Sequence, residues 1–184
     1  MVSDGDLPNV AQLSLKAPVY PPGCRFLPTE LGLVRVHLRN KVTMNNNGFI
    51  TTLNVYTDEP WLLNHVNNNL FKRNEWYYFS PRNRTGVKSV NRTVPGTGEG
   101  EGGRWKRTSG QEAIMDKNNK VEGYKESFVY YKKVKGKEEK TGWVMTEYSL
   151  HEGVHDDLVL CYIRGKIEKK AELKQVPNRG GGNE

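Results

Sequence analysis

The sequence predicts an α+β fold that is mainly β, with at least four mostly antiparallel strands and a few short helices. Aromatic and β-branched residues form short runs from Glu75 onward, a composition typical of strands. Helical spacing of apolar residues occurs before those runs. The 184 residues, of which 35% are hydrophobic, suit one compact domain with polar flanks.

A helix is predicted from about Glu30 to Lys41. Thr29 is suited to cap its N-terminus, because a threonine hydroxyl can accept a hydrogen bond from a free backbone N–H of the first turn. The apolar positions lie three and four residues apart and so share one helical face: Leu31, Val34 and Leu38. A second, shorter helical segment is expected between residues 59 and 63.

The strand predictions rest on four apolar runs with a high aromatic and β-branched content. A hairpin turn is predicted at Lys135-Gly136-Lys137, and a loop at residues 151–153, before the last strand. The predicted strands are Trp76–Phe79, Phe128–Tyr131, Trp143–Tyr148 and Asp157–Tyr162.

Composition divides the chain into three parts. Residues 1–19 are expected to form a flexible arm, residues 20–166 the folded domain, and residues 167–184 a disordered charged tail. A membrane span would need ~20 apolar residues, and no run approaches that length, so a membrane protein is not expected. The start of the chain has no secretory pattern, and Cys24 and Cys161 suggest buried thiols in a reducing compartment.

The excess positive charge is concentrated in the middle of the chain. Residues 72–140 carry 17 basic and nine acidic side chains, a net charge of +8, whereas residues 1–71 are neutral and residues 141–163 carry −4. Such a distribution attracts polyanions, of which nucleic acid is the commonest in a reducing cell. A solvated face that only keeps the protein soluble fits equally well, so charge alone leaves both interpretations open.

Motifs for catalysis and cofactor binding are weak. Residues 98–103 formally match Gly-x-Gly-x-x-Gly, but Glu99 and Glu101 would repel a phosphate, and a flexible loop fits better. His151 and His155 are the one histidine pair at a metal-binding spacing, and a glycine between them favours a loop. We therefore expect no enzyme, metal site, cofactor, small-molecule substrate or membrane partner.

Basic side chains surround aromatic residues in the charged stretch. In a strand, Lys106 and Thr108 would share one face and Trp105 and Arg107 the other, so that one side packs while the other contacts DNA. Cations on a β-ribbon can neutralise phosphates and reach base edges in the major groove. Alternatively, the aromatic residues form a core and the basic ones merely coat it. The candidate DNA contacts of this stretch are Arg82, Arg84, Lys88, Arg92, Arg104, Trp105, Lys106, Arg107 and Thr108.

Five sequence blocks occur in a recognisable order. They are PGCRFLPT at 22–29, VY at 55–56 with EPW at 59–61, EWYYFSPR at 75–82, NRT at 91–93 with WK at 105–106, and KTGWVMTEYSL at 140–150 with VLC at 159–161. Over about Tyr20 to Lys166, the chain thereby resembles the plant NAC domain, a DNA-binding module of transcription factors.

The resemblance implies a twisted antiparallel sheet flanked by helices, with the Trp105-Lys106 strand in the major groove of double-stranded DNA. It also implies a nuclear protein that forms homodimers, or heterodimers with related NAC-domain proteins. When the family's DNA contacts are transferred to the matching positions of this chain, they fall on Arg82, Arg92, Trp105 and Lys106. Lys132 and Lys133 are implied as further contacts to the DNA backbone. The corresponding dimer interface comprises Pro22, Gly23, Arg25, Phe26, Thr29 and Glu30.

The chain departs from the family pattern at three points. The family motif Trp-Lys-Ala-Thr-Gly is replaced by WKRTSG at 105–110, which puts a bulky cation where a small residue is usual. A longer glycine-rich connection precedes this strand and is expected to loosen it. The family carboxylate that pairs across the dimer with the arginine matching Arg25 aligns with Gly32, so dimerisation is expected to weaken.

Three functions stay open at this point. The first is a sequence-specific binder of duplex DNA. The second is a shortened regulatory partner of full-length family members, with weak or no DNA binding, suggested by the mere 18 residues after Lys166. The third is a binder of RNA or single strands, in which tyrosines stack on bases; the candidates are Tyr77, Tyr78, Tyr130 and Tyr131.

Overall fold

The computed structural model describes residues 20–86, 89–97, 100–151 and 157–166. The predicted flexible arm and disordered tail lie outside the described residues, as do Lys88, Glu99 and His155. All structural statements below concern the described part of the chain.

The structure confirms the mainly β, α+β class. All four predicted strands are present, and four further strands complete one sheet with the order β1-β2-β8-β7-β6-β4-β3, while β5 pairs with β6 beyond the end of β4. Every pairing is antiparallel except that of β1 with β2, which covers two residues. The strands are β1 (Thr51–Thr52), β2 (Glu75–Pro81), β3 (Thr93–Val94), β4 (Gly103–Arg107), β5 (Glu112–Met115), β6 (Val121–Val134), β7 (Lys137–Leu150) and β8 (Leu158–Arg164).

The longest hairpin joins β6 to β7 through the turn predicted at Lys135 and Gly136. Both turn residues have positive φ angles, 50° and 75°, as a two-residue hairpin turn of the type I′ class requires. The register between the two strands shifts near Tyr130, where the Thr141 hydroxyl donates to the Tyr130 carbonyl at 2.8 Å. A local bulge therefore separates the turn end of the hairpin from its base.

The predicted helix is confirmed and is slightly longer than expected. It consists of an α-helical turn at Glu30–Gly32, a π-helical stretch at Leu33–Leu38 and an α-helical stretch at Arg39–Met44. The Thr29 side chain accepts a hydrogen bond from the Gly32 N–H at 3.0 Å, which is the predicted cap. At the other end, Asn45 takes a left-handed conformation that ends the helix.

The short helix expected at residues 59–63 is absent from the structure, which has turns there. Leu62 N–H donates to the Glu59 carbonyl at 2.8 Å, which closes a single turn. Just beyond it, the His65 ring bonds to the Pro60 carbonyl and to the Tyr78 hydroxyl. These tertiary contacts turn the chain back toward the sheet before a helix can propagate.

The sheet has two different sides near β4. The core side carries Trp105, Phe128, Tyr130 and Met145, which the strand register places next to one another and which are all buried. The outward side, defined by Arg104, Lys106, Tyr131 and Glu138, is at least partly exposed. Among the described residues, no helix has the length and apolarity of a membrane span.

Candidate nucleic-acid interface

Strand β4 lies near one edge of the sheet. On one side it pairs with β6 over its whole length, with Trp105 opposite Tyr130 and Arg107 opposite Phe128. On the other side, β3 pairs only with Gly103 and Arg104. The second half of β4 therefore lies at the edge of the sheet.

Trp105 anchors this strand in the core. Its side chain is buried and packs edge-on against the Tyr130 ring, with the ring centroids 5.2 Å apart. Gly103 lets β4 approach β6 closely, since a Cβ there would collide with the Tyr131 carbonyl and the Tyr130 hydroxyl. The predicted alternation is therefore present, but it places the Trp105 side chain away from any ligand on the outward side.

Two cations project from β4 on the outward side and share one carboxylate. Arg104 Nε lies 2.6 Å from Glu138 Oε1, and Lys106 Nζ lies 2.5 Å from Glu138 Oε2. Lys106 Nζ also lies 4.3 Å from the centroid of the Tyr131 ring, within cation–π range. The hydrogen bond from Lys106 lowers the pKa of Glu138, and Arg104 adds to this effect, so the carboxylate is ionised at neutral pH.

Arg107 lies on the core side but at the exposed end of β4. Its Nη2 atom is 2.6 Å from Glu126 Oε1, and its side chain is 51% exposed. Thr108 is exposed and donates its hydroxyl hydrogen to the Ser127 carbonyl at 3.2 Å. Both candidate residues are thus accessible from solvent.

Arg92 and Arg82 belong to a buried ionic network. Arg92 Nη2 lies 2.8 Å from Glu147 Oε2 and 3.3 Å from Glu126 Oε2, and its guanidinium stacks 4.3 Å from the Phe128 ring centroid. Arg82 Nη2 lies 3.6 Å from Glu147 Oε2. The two arginine side chains are only 13% and 8% exposed, so they neutralise buried carboxylates rather than present charge to solvent.

The need for this network is visible in the strand register. Glu126 and Glu147 are direct cross-strand partners in β6 and β7, so two carboxylates meet on the core side. Tyr56 donates its hydroxyl hydrogen to Glu147, and burial raises the pKa of Tyr56 well above its usual value. In β7, every second side chain points to the core, so Trp143, Met145 and Glu147 share the core side. This alternation is a sequence signal that could have predicted a buried carboxylate at Glu147, which then needs a cation as its partner.

The remaining candidate cations that the structure describes lie in β6, which pairs with β4, and after β2, which does not pair with β4. Arg84 Nε is 2.6 Å from Asp157 Oδ1, and Lys132 Nζ is 3.5 Å from Glu139 Oε2. Lys133 has an exposed side chain, while its backbone N–H donates to the Gly102 carbonyl at 2.8 Å.

The described part of the glycine-rich connection is tied to the β6–β7 turn. The Glu101 carboxylate accepts hydrogen bonds from the Lys135 and Gly136 N–H groups at 2.7 and 2.9 Å. The Gly136 bond and then the Lys135 bond lower the pKa of Glu101. These bonds join residue 101, at the end of the connection next to β4, to the turn that carries the basic residues, a role of Glu101 that sequence reasoning missed.

The segment expected to form a dimer interface makes several contacts within its own chain. Arg25 Nη1 donates to the Asn69 carbonyl at 2.8 Å, and Lys125 Nζ lies 2.8 Å from Glu30 Oε1. Phe26 packs edge-on against Phe49, with centroids 4.8 Å apart. Thr29 caps the helix, whereas Pro22 and Gly23 are exposed.

The tyrosines considered as stacking platforms are mostly inaccessible. Tyr77, Tyr78 and Tyr130 are buried, and only Tyr131 is half-buried. Burial raises the pKa of Tyr78 to about 12. These four described tyrosines therefore form no row of exposed rings on which single strands could stack. The described residues also contain no cluster of three or more side chains suited to a metal ion.

Replacing the buried arginine should affect stability far more than replacing the exposed one. Arg92→Ala removes the closest cation of the buried Glu147, leaving it only the more distant Arg82, and one of the two cations of Glu126. We therefore expect it to lower the free energy of unfolding by about 3–5 kcal/mol. Arg104→Ala removes an exposed pair and should cost about 1 kcal/mol or less. Urea denaturation of both variants measures the difference; equal unfolding midpoints would contradict the buried network.

Comparison with known proteins identifies the family. The family model described as No apical meristem (NAM) protein matches residues 21–150. NAC domain-containing protein 6 of Arabidopsis thaliana is 53% identical over 100 residues, which cover 53% of this chain and 36% of that protein. NAC domain-containing protein 19 of the same species is 36% identical over 183 residues, covering 95% of this chain and 53% of that protein.

A third relative, NAC transcription factor 29 of Arabidopsis thaliana, is 38% identical over 179 residues, covering 88% of this chain and 61% of that protein. The chain thus spans 36% to 61% of the length of these three relatives. The family match extends across the helix and strands β1 to β7, which contain the residues discussed above. The chain therefore belongs to the family of plant NAC domain proteins.

Proposed function

We propose that this chain is the sequence-specific, duplex DNA-binding domain of a nuclear transcription regulator and reads the major groove with the outward side of β4. One observation carries the proposal: Arg104 and Lys106 project side by side from an edge strand whose Trp105 is fixed in the core. A groove about 12 Å wide admits such a strand. Membership of a family that includes a named transcription factor supports it.

The carboxylate partners of these cations are compatible with phosphate binding. An exposed ion pair contributes only about 0.2–1 kcal/mol, so a phosphate can replace Glu138 at Arg104 and Lys106. Arg107 can also leave Glu126, because Arg92 still neutralises that carboxylate. On the outward side, the proposed contacts are Arg104, Lys106 and Lys133, with Thr108 just after the strand. Arg107, at the exposed end of β4, and Lys132 project from the other side and are proposed to reach phosphates at the rim of the surface, with Arg84 and Lys88 as further phosphate contacts.

Arg82, Arg92 and Trp105 have a different proposed role. Their side chains are buried, and their removal from the core would cost far more than one phosphate contact returns. They act through β4 by holding it and the neighbouring strands in place. Substituting them should weaken DNA binding by way of the fold.

The salt dependence of binding tests the proposal. With Z phosphates neutralised, log K against log[salt] should have a slope of about −0.9Z, and each lost phosphate contact should reduce that slope by about 1. Arg104→Ala combined with Lys106→Ala should weaken binding at least tenfold, since a lost base contact costs about 1–3 kcal/mol. The measurement is fluorescence anisotropy with a labelled duplex at several salt concentrations.

The matched control is Lys117→Ala with Lys120→Ala. It removes the same charge from the exposed turn between β5 and β6, away from β4. It should weaken binding much less than the β4 double substitution. Equal losses in the two double variants would show that net charge alone determines binding.

A second candidate function is a regulatory dimerisation partner with weak or no DNA binding of its own. The observation that favours it is the ion pairing of the β4 cations: Arg104 and Lys106 with Glu138, and Arg107 with Glu126. These carboxylates compete with phosphate. A salt slope near zero for the wild-type chain would support this candidate and discard the first, and exclusion of a fluorescent fusion from the nucleus would count against both.

We propose that the chain forms homodimers, or heterodimers with related NAC-domain proteins, through the segment around Arg25. Leu27 is a large apolar side chain that is exposed beside Arg25 and the start of the helix. Burial of such a side chain in a second copy would be favourable. Glu30 is already paired with Lys125 in its own chain. We therefore expect few ion pairs across the proposed interface and a weak association of the two copies.

Leu27→Asp should convert the chain to a monomer, because the substitution places an unpaired charge in the proposed interface. Leu62→Asp is the control, since Leu62 is also exposed but belongs to another segment. Sedimentation equilibrium measures the mass of each variant. A wild-type chain that stays monomeric at every concentration, or a Leu62→Asp variant that dissociates equally, would overturn the proposed interface.

A further inference from the structure

One carboxylate, that of Glu138, reaches the cations of β4 from across β6. Glu138 lies in β7 opposite Lys133, and its side chain extends over β6 to Arg104 and Lys106. Its Oε1 atom lies 2.6 Å from Arg104 Nε, and its Oε2 atom lies 2.5 Å from Lys106 Nζ and 3.3 Å from Arg104 Nη2. A carboxylate held by two cations in this way makes the kind of charged contact that arginine and lysine also make with a phosphate.

The other two carboxylates at this edge are in different situations. Glu126 holds Arg107, but Arg92 is its second partner, so Glu126 stays neutralised when Arg107 turns to a phosphate. Glu139 neighbours Glu138 in β7 but points to the opposite side, where it pairs with Lys132 at the longer distance of 3.5 Å.

Glu138 has no such second support within the described part of the chain. Its ion pairs there are those with Arg104 and Lys106 alone. When both cations contact DNA, an ionised and partly exposed carboxylate is left beside the phosphates. Glutamic acid side chains ordinarily have pKa values well below 7, so Glu138 keeps its charge at neutral pH even after both cations have left it. The Glu138 carboxylate and the neighbouring phosphates, both negative, would repel each other, and salt screens this repulsion only weakly at low concentration.

We infer that Glu138 is a positioning residue that holds Arg104 and Lys106 in place of a phosphate and thereby limits the affinity of β4 for duplex DNA. The inference rests on the proposed function of β4. It assigns opposite effects to neighbouring side chains: loss of Arg104 or Lys106 weakens binding, whereas neutralisation of Glu138 strengthens it. A role in folding alone would produce no gain in affinity.

The test is Glu138→Gln, which keeps the shape of the side chain and removes its charge. The variant should bind a labelled duplex about threefold to tenfold more tightly than the wild type at low salt, because two exposed pairs are released and a repulsion is removed. The gain should shrink as salt is added. Unchanged thermal unfolding would show that the fold is intact.

Two further variants separate this effect from a change in net charge. Glu112→Gln makes the same charge change at another exposed site. Glu112 pairs with Lys125, which still has Glu30 as a partner after the substitution, so this variant should give a much smaller gain in DNA affinity. In a background with Arg104→Ala and Lys106→Ala, Glu138→Gln should give no gain beyond that of Glu112→Gln. A gain that persists in that background overturns the inference, as does a Glu138→Gln variant that binds no more tightly than the wild type.

The outcome also separates the inference from the proposed function. If the wild type binds duplex DNA with a steep salt slope and Glu138→Gln changes nothing, only the inference fails. If neither protein binds, both fail. If the wild type shows no measurable binding but Glu138→Gln binds with a steep slope, the inference holds and Glu138 accounts for the weak binding of the natural chain.

Discussion

The burial of Trp105 against Tyr130 is the contact on which the arrangement of this edge depends. In a strand, side chains alternate between the two faces, and a slip of one residue would exchange them. With Trp105 fixed in the core, Arg104 and Lys106 must point outward. The close approach of β4 to β6 at Gly103 reinforces this register, because a larger residue has no room there. A core contact therefore determines which charges the surface presents.

The basic residues of the middle segment fall into two groups with different energetics. Arg82 and Arg92 neutralise Glu147, which is fully buried, and removal of a partner from such a pair costs about 3–5 kcal/mol. Arg104 and Lys106 form exposed pairs with Glu138 that are worth about 1 kcal/mol or less each. Arg107 is the exposed member of a pair with the buried Glu126, which Arg92 also neutralises. Only the second group can exchange a protein carboxylate for a phosphate without disturbing the core. The same positive charge thus supports the fold in one group and is available for binding in the other.

Alternation, turn residues and apolar spacing are local signals, so the sequence predicted β2, β6, β7 and β8, the β6–β7 turn and most of the helix, and β4 was expected as the Trp105-Lys106 strand. The short strands β1, β3 and β5 were not predicted. The failure at residues 59–63 has a tertiary cause, since His65 is held by Tyr78 from a distant strand. The roles of Glu101 and Glu138 were also invisible, because each acts on residues more than 30 positions away. Arg92 looked like its exposed neighbours in the sequence, and only the register that joins Glu126 to Glu147 reveals why it is buried. The resemblance to NAC domains correctly identified the family, while the pairing of individual side chains required the structure.

We propose that the outward side of β4, fixed by Trp105, is the surface that meets duplex DNA. Lysine acylation footprinting with saturating duplex tests this most directly, since it reads each lysine separately. We expect DNA to protect Lys106 strongly and to leave Lys117 and Lys120, at the turn between β5 and β6, as reactive as in the free protein. Protection of that turn with an unprotected Lys106 would contradict it.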